Sequence, residues 1–418
     1  MRPSLMRLFL MRRLLWRLPV LLGMAMIAAA SLLVYANAFH RMVAGVPMYS
    51  NTRLHGVQPP VIVPALTSAN VLSGNFRRDY ASYFARNFPL LAPAVRLKGQ
   101  IYWSLLHQSP TWYISVGRHD VLYENVYLDE YCSRDIAAYA PVAAAWASRL
   151  MRMQRWYAAH GKIFLYMITP SKASIEPETM PAERPCRATR TDRDNFHAAY
   201  RKILDQAGVN VVDAVQTTLQ ARRDYPFPPF PPGGTHFNDV SAALAVQQLI
   251  GVMTRVSTWR RMNDLTFTWA LAEPDEVDTD LLDALNVPFT GVHYRTPAIT
   301  VQHPKAGPCV PVHMAQVGGS FTYQIDKVLD LSLCPPKIEL YEYYRNTMAV
   351  YPGDERHPVD PRRRSWALLE AAEIVVLEEN EELAAHSEHG KALYELVSQR
   401  IRAEQAAAPR SLKPALNP

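Results

Sequence analysis

The sequence predicts an α/β fold, a doubly wound sheet with helices on both faces. Three observations carry this reading. Short apolar runs alternate with helical patterns along most of the chain. The run KIFLYMITP (162–170) is apolar throughout, as a strand buried on both faces of a parallel sheet must be. Residue types able to do chemistry recur where such a strand hands over to a loop or helix, at the edge where α/β proteins bind ligands. A length of 418 residues suits one large domain with additions.

The first forty residues stand apart. Arg2, Arg7, Arg12, Arg13 and Arg17 precede an uncharged stretch from Leu18 to Phe39. A run of about 20 apolar residues crosses the hydrocarbon core as a helix, and arginines on its N-terminal side hold that end in the cytoplasm. Residues 1–40 are therefore expected to be a basic stub and transmembrane signal-anchor in the inner membrane, with the remainder outside it. The competing reading is a cleaved signal peptide, for which Ala36-Asn37-Ala38 has the A-x-A form; the length of the apolar run favours the anchor. The net charge of +6 owes much to these arginines, so no nucleic-acid partner is inferred.

Residues 41–69, rich in proline and polar residues, read as a tether. From Asn70 to His107 the pattern is helical and breaks near Pro89. A strand over 112–116 leads into GRHDVLYENVYLDEYC, and 136–160 reads as a long amphipathic helix ending at Gly161. After KIFLYMITP come a helix over 192–207, a strand over 209–212 and a helix following Asp239. Residues 257–307 interrupt the alternation and read as a β-rich insertion. It resumes with a strand over 310–317, a helix from Phe321 and a last strand over 374–377. The main domain is thus expected over 70–404, with a disordered tail over 405–418. The four cysteines (Cys132, Cys186, Cys309 and Cys334) lack C-x-x-C spacing, which disfavours a zinc ribbon or thioredoxin motif. One or two disulfides fit an oxidising compartment, unpaired buried cysteines fit equally, and the spacing fixes no pairing.

Four phrases carry candidate chemistry. VGGSFTYQI places Ser320 between a strand and a helix, where backbone N–H groups can face an oxyanion. Alone, it also fits a plain turn with Ser320 as N-cap. GGTHFND presents His236 just before a helix, with Thr235, Asn238 and Asp239 at hand to orient the ring. Lys172, in TPSKAS, follows the KIFLYMI strand. Glu378 and Glu379, after the last strand, read first as an acidic cap on the next helix and second as a triad acid. Each alone fits a structural role, but in a parallel sheet all these strand ends share one edge. A serine, a histidine, a lysine and acids on one edge make an acyl-transfer constellation.

In order and spacing these blocks resemble the SGNH-like alginate O-acetyltransferase family, the AlgJ and AlgX type of periplasmic acetylation protein, over roughly 70–383. WYISVGRHDVLYENVYLDEY resembles the family's "G-K-D-G-W-L-F-Y" segment, with Val121 at the tryptophan. KIFLYMITPSKASIEPETMP is similar to its strand and P-x-K phrase, and DTDLLDAL (278–285) to its "G-D-L" segment. VGGSFTYQI resembles the nucleophile block and AEIVVLEENEEL the closing strand. The resemblance implies an SGNH-hydrolase-like sheet and a periplasmic O-acetyltransferase that modifies an exported polysaccharide through a Ser–His acetyl-enzyme. Ser320 would be nucleophile and His236 base, with Gly319, Lys172, Asn238 and Thr235 as oxyanion or substrate contacts. The family's acid lies two residues before the histidine, where this chain has Gly234. Another carboxylate must then serve (Asp239 first, with Asp213 and Asp224 as further local candidates), or the site works as a dyad. Gly319 likewise departs from the "G-D-S" form. No metal or nucleotide motif is present, and no cofactor is expected. A membrane-bound O-acyltransferase (MBOAT) is the implied acetyl source, since free acetyl-CoA is not expected outside the cytoplasm. The alternatives are a polysaccharide acetylesterase and a non-catalytic glycan-binding or scaffold subunit of an exopolysaccharide export complex.

Overall fold

A computed structural model of the chain describes residues 3–45, 48, 54–56, 65–257, 262–303, 311–342, 346–353, 355–359 and 367–407. It divides into two compact units, 1–111 with 282–291, and 112–281 with 292–418. The compact unit that holds the sheet thus begins at Trp112, later than the expected Asn70.

The first unit is helical. Helix α1 (Pro3–Ala44) contains an apolar span, Arg17–Arg41, of 25 residues and mean hydropathy 2.2, long enough to cross a bilayer. α2 (Ser68–Leu72) is capped by Thr67, whose Oγ1 accepts from the Asn70 amide at 3.2 Å. α3 (Asn75–Asn87) and α4 (Leu91–Leu106) are separated around Pro89, where the sequence places the break. Trp103 Nε1 donates to the Thr290 carbonyl at 2.8 Å and so ties 282–291 to α4. Most of the expected tether lies outside the described residues.

The second unit opens with an antiparallel pair, β1 (Ile114–Val116) and β2 (Leu122–Glu124), followed by α5 (Asn125–Ser133). α6 (Ile136–Ala159) then leads into β3 (Ile163–Thr169) and the short α7 (Lys172–Ile175). α8 (Arg190–Ala207), β4 (Val211–Asp213), α9 (Ala214–Asp224) and α10 (Asp239–Val256) continue the alternation. The insertion holds β5 (Thr266–Ala272), α11 (Asp280–Ala284) and β6 (Thr296–Gln302), with β5 and β6 paired antiparallel. Beyond it lie β7 (His313–Gly318), α12 (Thr322–Asp330), β8 (Lys337–Glu342), β9 (Thr347–Tyr351) and β10 (Glu355–Pro358). α13 (Ala367–Ala371), β11 (Ile374–Asn380) and α14 (Glu388–Ala407) complete it. α14 carries the chain helically to Ala407, into the expected tail; residues 408–418 lie outside the described residues.

The sheet has seven strands in the order β10-β9-β8-β7-β11-β3-β4. It is parallel from β8 to β4, and β9 and β10 add an antiparallel edge that the sequence reading did not anticipate. β3 alternates its side chains between two helical layers. Phe164 stacks on Tyr157 of α6 at 5.7 Å, and the Tyr166 hydroxyl meets that of Tyr200 on α8 at 2.8 Å. α6 builds this layer from Ala143, Trp146, Ala147, Leu150, Met153 and Tyr157, an i, i+3, i+4, i+7 stripe that is fully buried. α9, α10 and α12 pack together as a second layer.

β11 runs past the predicted Leu377 to Asn380, which overturns the reading of Glu378 and Glu379 as a helix cap. Both are buried inside the sheet, and α14 begins only at Glu388. A buried carboxylate is tolerable only when donors surround it. Glu379 accepts from Trp146 Nε1 at 3.2 Å, the Ala385 amide at 3.0 Å, the Tyr166 hydroxyl and the Ser387 hydroxyl. Cys132 and Cys186 form a disulfide across 54 residues, and Cys334 is also disulfide-bonded.

Two outcomes are expected. Replacing Cys132 and Cys186 by alanine should lower stability to urea by about 4 kcal/mol, the loop-entropy value for a bridge across 54 residues. Burial raises the Glu379 carboxyl from 4.5 to about 7, against the pull of its donors. A carboxyl raised in the folded state stabilises most below its unfolded pKa and loses that contribution as pH rises through its folded one. Urea titrations should therefore show stability falling from pH 4.5 to about 7, and Glu379→Gln should flatten part of that slope.

Candidate active site

The candidate nucleophile is set by a close approach between β7 and β11. Strand β7 ends at Gly318, where an added Cβ would lie 2.7 Å from Glu378 Oε2 and 2.8 Å from its Cβ. Glycine lets the Glu378 carboxylate lie against the backbone, and it uses that position. Its Oε2 accepts from the Gly319 amide at 2.7 Å and its Oε1 from the Thr169 hydroxyl at 2.5 Å. Burial raises the Glu378 carboxyl, while those two donors and the charge of His236 draw it down. The turn so fixed presents Ser320 half-buried at the carboxyl edge, just before α12. Gly319 therefore departs from its expected role: its N–H is already spent on Glu378.

His236 comes from the proline-dense loop before α10. Lys172, itself buried, pins that loop by donating from Nζ to the carbonyls of Pro231 (2.8 Å), Leu122 (3.0 Å) and Pro232 (3.4 Å). The Leu122 amide donates to the Pro232 carbonyl at 2.8 Å, tying β2 to the same loop. Burial pulls the Lys172 ammonium down to about 8, against the opposing pull of Glu176, Asp280 and Glu124. Asn238 caps α10 through Oδ1 to the Ser241 amide (3.0 Å) and donates from Nδ2 to the Pro228 carbonyl (2.9 Å). Lys172 and Asn238 are thus supports of the loop, where the sequence reading had them as substrate contacts.

The histidine meets both neighbours that a relay needs. His236 Nε2 lies 2.8 Å from Ser320 Oγ, and its ring packs 4.9 Å from that of Phe321. His236 Nδ1 lies 3.1 Å from Asp280 Oδ2, close in distance but off the line of a regular hydrogen bond. Asp280 is itself held, its Oδ1 accepting from the Thr235 and Leu281 amides at 2.8 Å each. The backbone of Thr235 therefore links the histidine to its carboxylate.

The carboxylate beside the histidine is thus Asp280, and the three acids first considered lie elsewhere. Asp239 Oδ1 accepts from Lys327 Nζ at 2.9 Å, and the same ammonium reaches Asp275 Oδ2 at 2.9 Å. Asp239 thereby helps to hold the turn that delivers Asp280. Asp213 caps α9 and meets His197 at 3.0 Å, and Asp224 is exposed at the end of α9. The only sequence signal for Asp280 was its place in DTDLLDAL, the segment resembling "G-D-L". Position 234 has no room for a side chain: an added Cβ there would lie 2.6 Å from the Asp278 carbonyl oxygen and 3.0 Å from that of Val277.

A serine at the end of a parallel strand, met there by a histidine from the loop between two helices, fits an SGNH hydrolase-like α/β domain. Residues 126–308 match the family described as SGNH hydrolase-like domain, acetyltransferase AlgX, so the resemblance to the AlgJ and AlgX type holds. The match includes His236 and Asp280 and ends before Ser320. Among solved structures, the O-acetyltransferase domain of Pseudomonas putida AlgJ is similar at 18% identity and TM-score 0.46, over 69% of this chain and 99% of that one. Pseudomonas aeruginosa AlgX is similar at 13% identity and TM-score 0.43, over 73% and 71%. Bacillus cereus PatB1 is similar at 11% and 0.40, over 66% and 98%. No curated protein matches the chain.

Gly234→Ala should cost about 1–3 kcal/mol by urea denaturation, the usual penalty for forcing a methyl into filled space. A full-stability Gly234→Ala protein would show that the 277–278 backbone does not press on this position.

Proposed function

We propose that the chain is an O-acetyltransferase acting outside the inner membrane on hydroxyl groups of an exported polysaccharide. The observation that carries this reading is the Ser320–His236–Asp280 chain, at 2.8 and 3.1 Å, on the edge of an SGNH-like sheet. His236 Nε2 takes the Ser320 proton as Oγ attacks the acetyl carbonyl carbon. The amides of Ser320 and Phe321, at the head of α12 and without an acceptor among the described residues, are available to the developing oxyanion. The tetrahedral adduct collapses, the donor's leaving oxygen takes the proton from His236, and acetyl-Ser320 remains. A sugar hydroxyl then attacks the acetyl carbon while His236 takes its proton. The carbonyl–Oγ bond breaks, and Ser320 recovers the proton. Asp280 orients the ring and favours its charged form during both transfers.

Arg17–Arg41, apolar and preceded by arginines, supports a signal-anchor that leaves the sheet unit on the periplasmic side. Acetyl then has to be handed across the bilayer, and a membrane-bound O-acyltransferase is the partner suited to it.

The test is release of 4-nitrophenol from 4-nitrophenyl acetate, with and without a glycan acceptor. Ser320→Ala and His236→Ala should each lower turnover by about 10³-fold or more, and Asp280→Asn by about 10²- to 10⁴-fold. Asp239→Asn, which touches Lys327 and not His236, should lose far less than Asp280→Asn. Equal losses for the two aspartates, or full activity in Ser320→Ala, would overturn the triad.

A further inference from the structure

The helical unit carries an aromatic stripe against the outer end of the apolar span. α3 repeats large rings at Phe76, Tyr80, Tyr83 and Phe84, the i, i+4, i+7, i+8 spacing of one helix face. Neighbouring rings touch, Phe76 and Tyr80 at 5.7 Å and Tyr80 and Tyr83 at 6.2 Å. Tyr35 of α1 joins them, 6.4 Å from Tyr80 and 5.8 Å from Phe84. That contact fixes the depth at which α3 lies. Arg17 and Arg41 close the span at its two ends. At about 1.5 Å per residue they stand about 36 Å apart, one in each headgroup layer around a hydrocarbon core of about 30 Å. Tyr35 then lies about 9 Å inside the outer end. The α3 rings that meet it are held near the boundary of headgroups and acyl chains. Interfacial helices bury their apolar face about 5–10 Å deep at this boundary, and tyrosine is enriched there.

The residues around the stripe suit that depth. Just before α3, Leu66, Val71 and Leu72 are exposed, Leu72 at 87%. Water is a poor neighbour for three large aliphatic side chains so close together, and acyl chains are a good one. On α3 itself Arg77, Arg78 and Arg86 are exposed, against one acid, Asp79. Rings and aliphatic groups beside exposed guanidiniums make the pairing that a phospholipid surface meets, acyl chains below and phosphates above.

We propose that α2 and α3 lie in the outer leaflet of the inner membrane as a second, interfacial attachment, with Leu72 among acyl chains and the three arginines on lipid phosphates. The proposal rests on the reading of Arg17–Arg41 as a span, and it keeps the chain on the bilayer as far as Asn87, past the end of the expected tether. The test uses full-length protein in vesicles of phosphatidylethanolamine and phosphatidylglycerol, with a nitroxide on one added cysteine. Leu72→Cys reports the proposed attachment, Ile27→Cys the span and Ser148→Cys the sheet unit; all three positions are exposed, so packing is left alone. Collisions with oxygen, which concentrates in lipid, are compared with those of a water-soluble nickel chelate. Position 72 should favour oxygen, as position 27 does, and position 148 should favour nickel. Replacing Arg77, Arg78 and Arg86 together by glutamate should raise the nickel collisions at position 72. Nickel-dominated collisions at 72 beside an oxygen-dominated 27 overturn the proposal and leave the span standing. Shielding of 72 from both reagents overturns it in favour of a protein cover, a second copy or another partner. A position 72 indifferent to the three charge reversals overturns the phosphate contact. Nickel-dominated collisions at 27 overturn the span, and the proposal with it.

Discussion

The ammonium of Lys172 is the point from which the geometry of the site is suspended. It sits at the end of β3, inside the protein, and spends its donors on carbonyls from β2 and from the proline-dense loop. That loop is poor in its own regular hydrogen bonding, because proline has no N–H to give. An internal cation satisfying its carbonyls supplies what a helix or strand would have supplied. Glu176 completes the anchoring by accepting from the Phe230 amide at 3.0 Å. His236 follows within a few residues, so its ring position depends on a contact made on the far side of the loop.

The serine is held by the opposite charge under the same rule. Glu378 lies inside the sheet and accepts from the turn that precedes Ser320, while Thr169 occupies its second oxygen. The two halves of the reacting pair thus rest on one buried cation and one buried anion, each saturated by fixed partners. Such groups resist movement, because releasing a partner leaves a desolvated charge. Lys327, bridging Asp239 and Asp275, does the same at lower burial for the turn that brings in Asp280.

Much of the frame was legible in the sequence because it is written in local pattern. The all-apolar β3, the stripe of α6, the strand-to-helix handover at Ser320 and the helix start after His236 all announce themselves within a few residues, although the segment before His236 is the helix α9 and not a strand. What was not legible depends on distant partners. Whether Glu379 is a solvated charge or an internal one turns on Trp146 and Tyr166, more than two hundred residues away. Asp239 looked the better partner for His236 because it is three positions off along the chain, whereas Asp280 arrives from inside the insertion. Lys172 was noticed for its place at a strand end, and its role could be read only from the carbonyls around it. The strands β8 to β10 were missed because helix and strand signals mix in that stretch, and sheet neighbours supply the rest.

The backbone lying against Gly234 also bears on how sequences of this type can change. Placing an acid at position 234 collides with the Val277 and Asp278 carbonyls while that segment is in place. Losing Asp280 first removes the carboxylate that faces His236. Neither step alone leads back to an arrangement with the acid two residues before the histidine. An acid at position 234 therefore needs the 277–278 backbone to move at the same time, so two carbonyl oxygens from the insertion dictate what may stand beside the histidine.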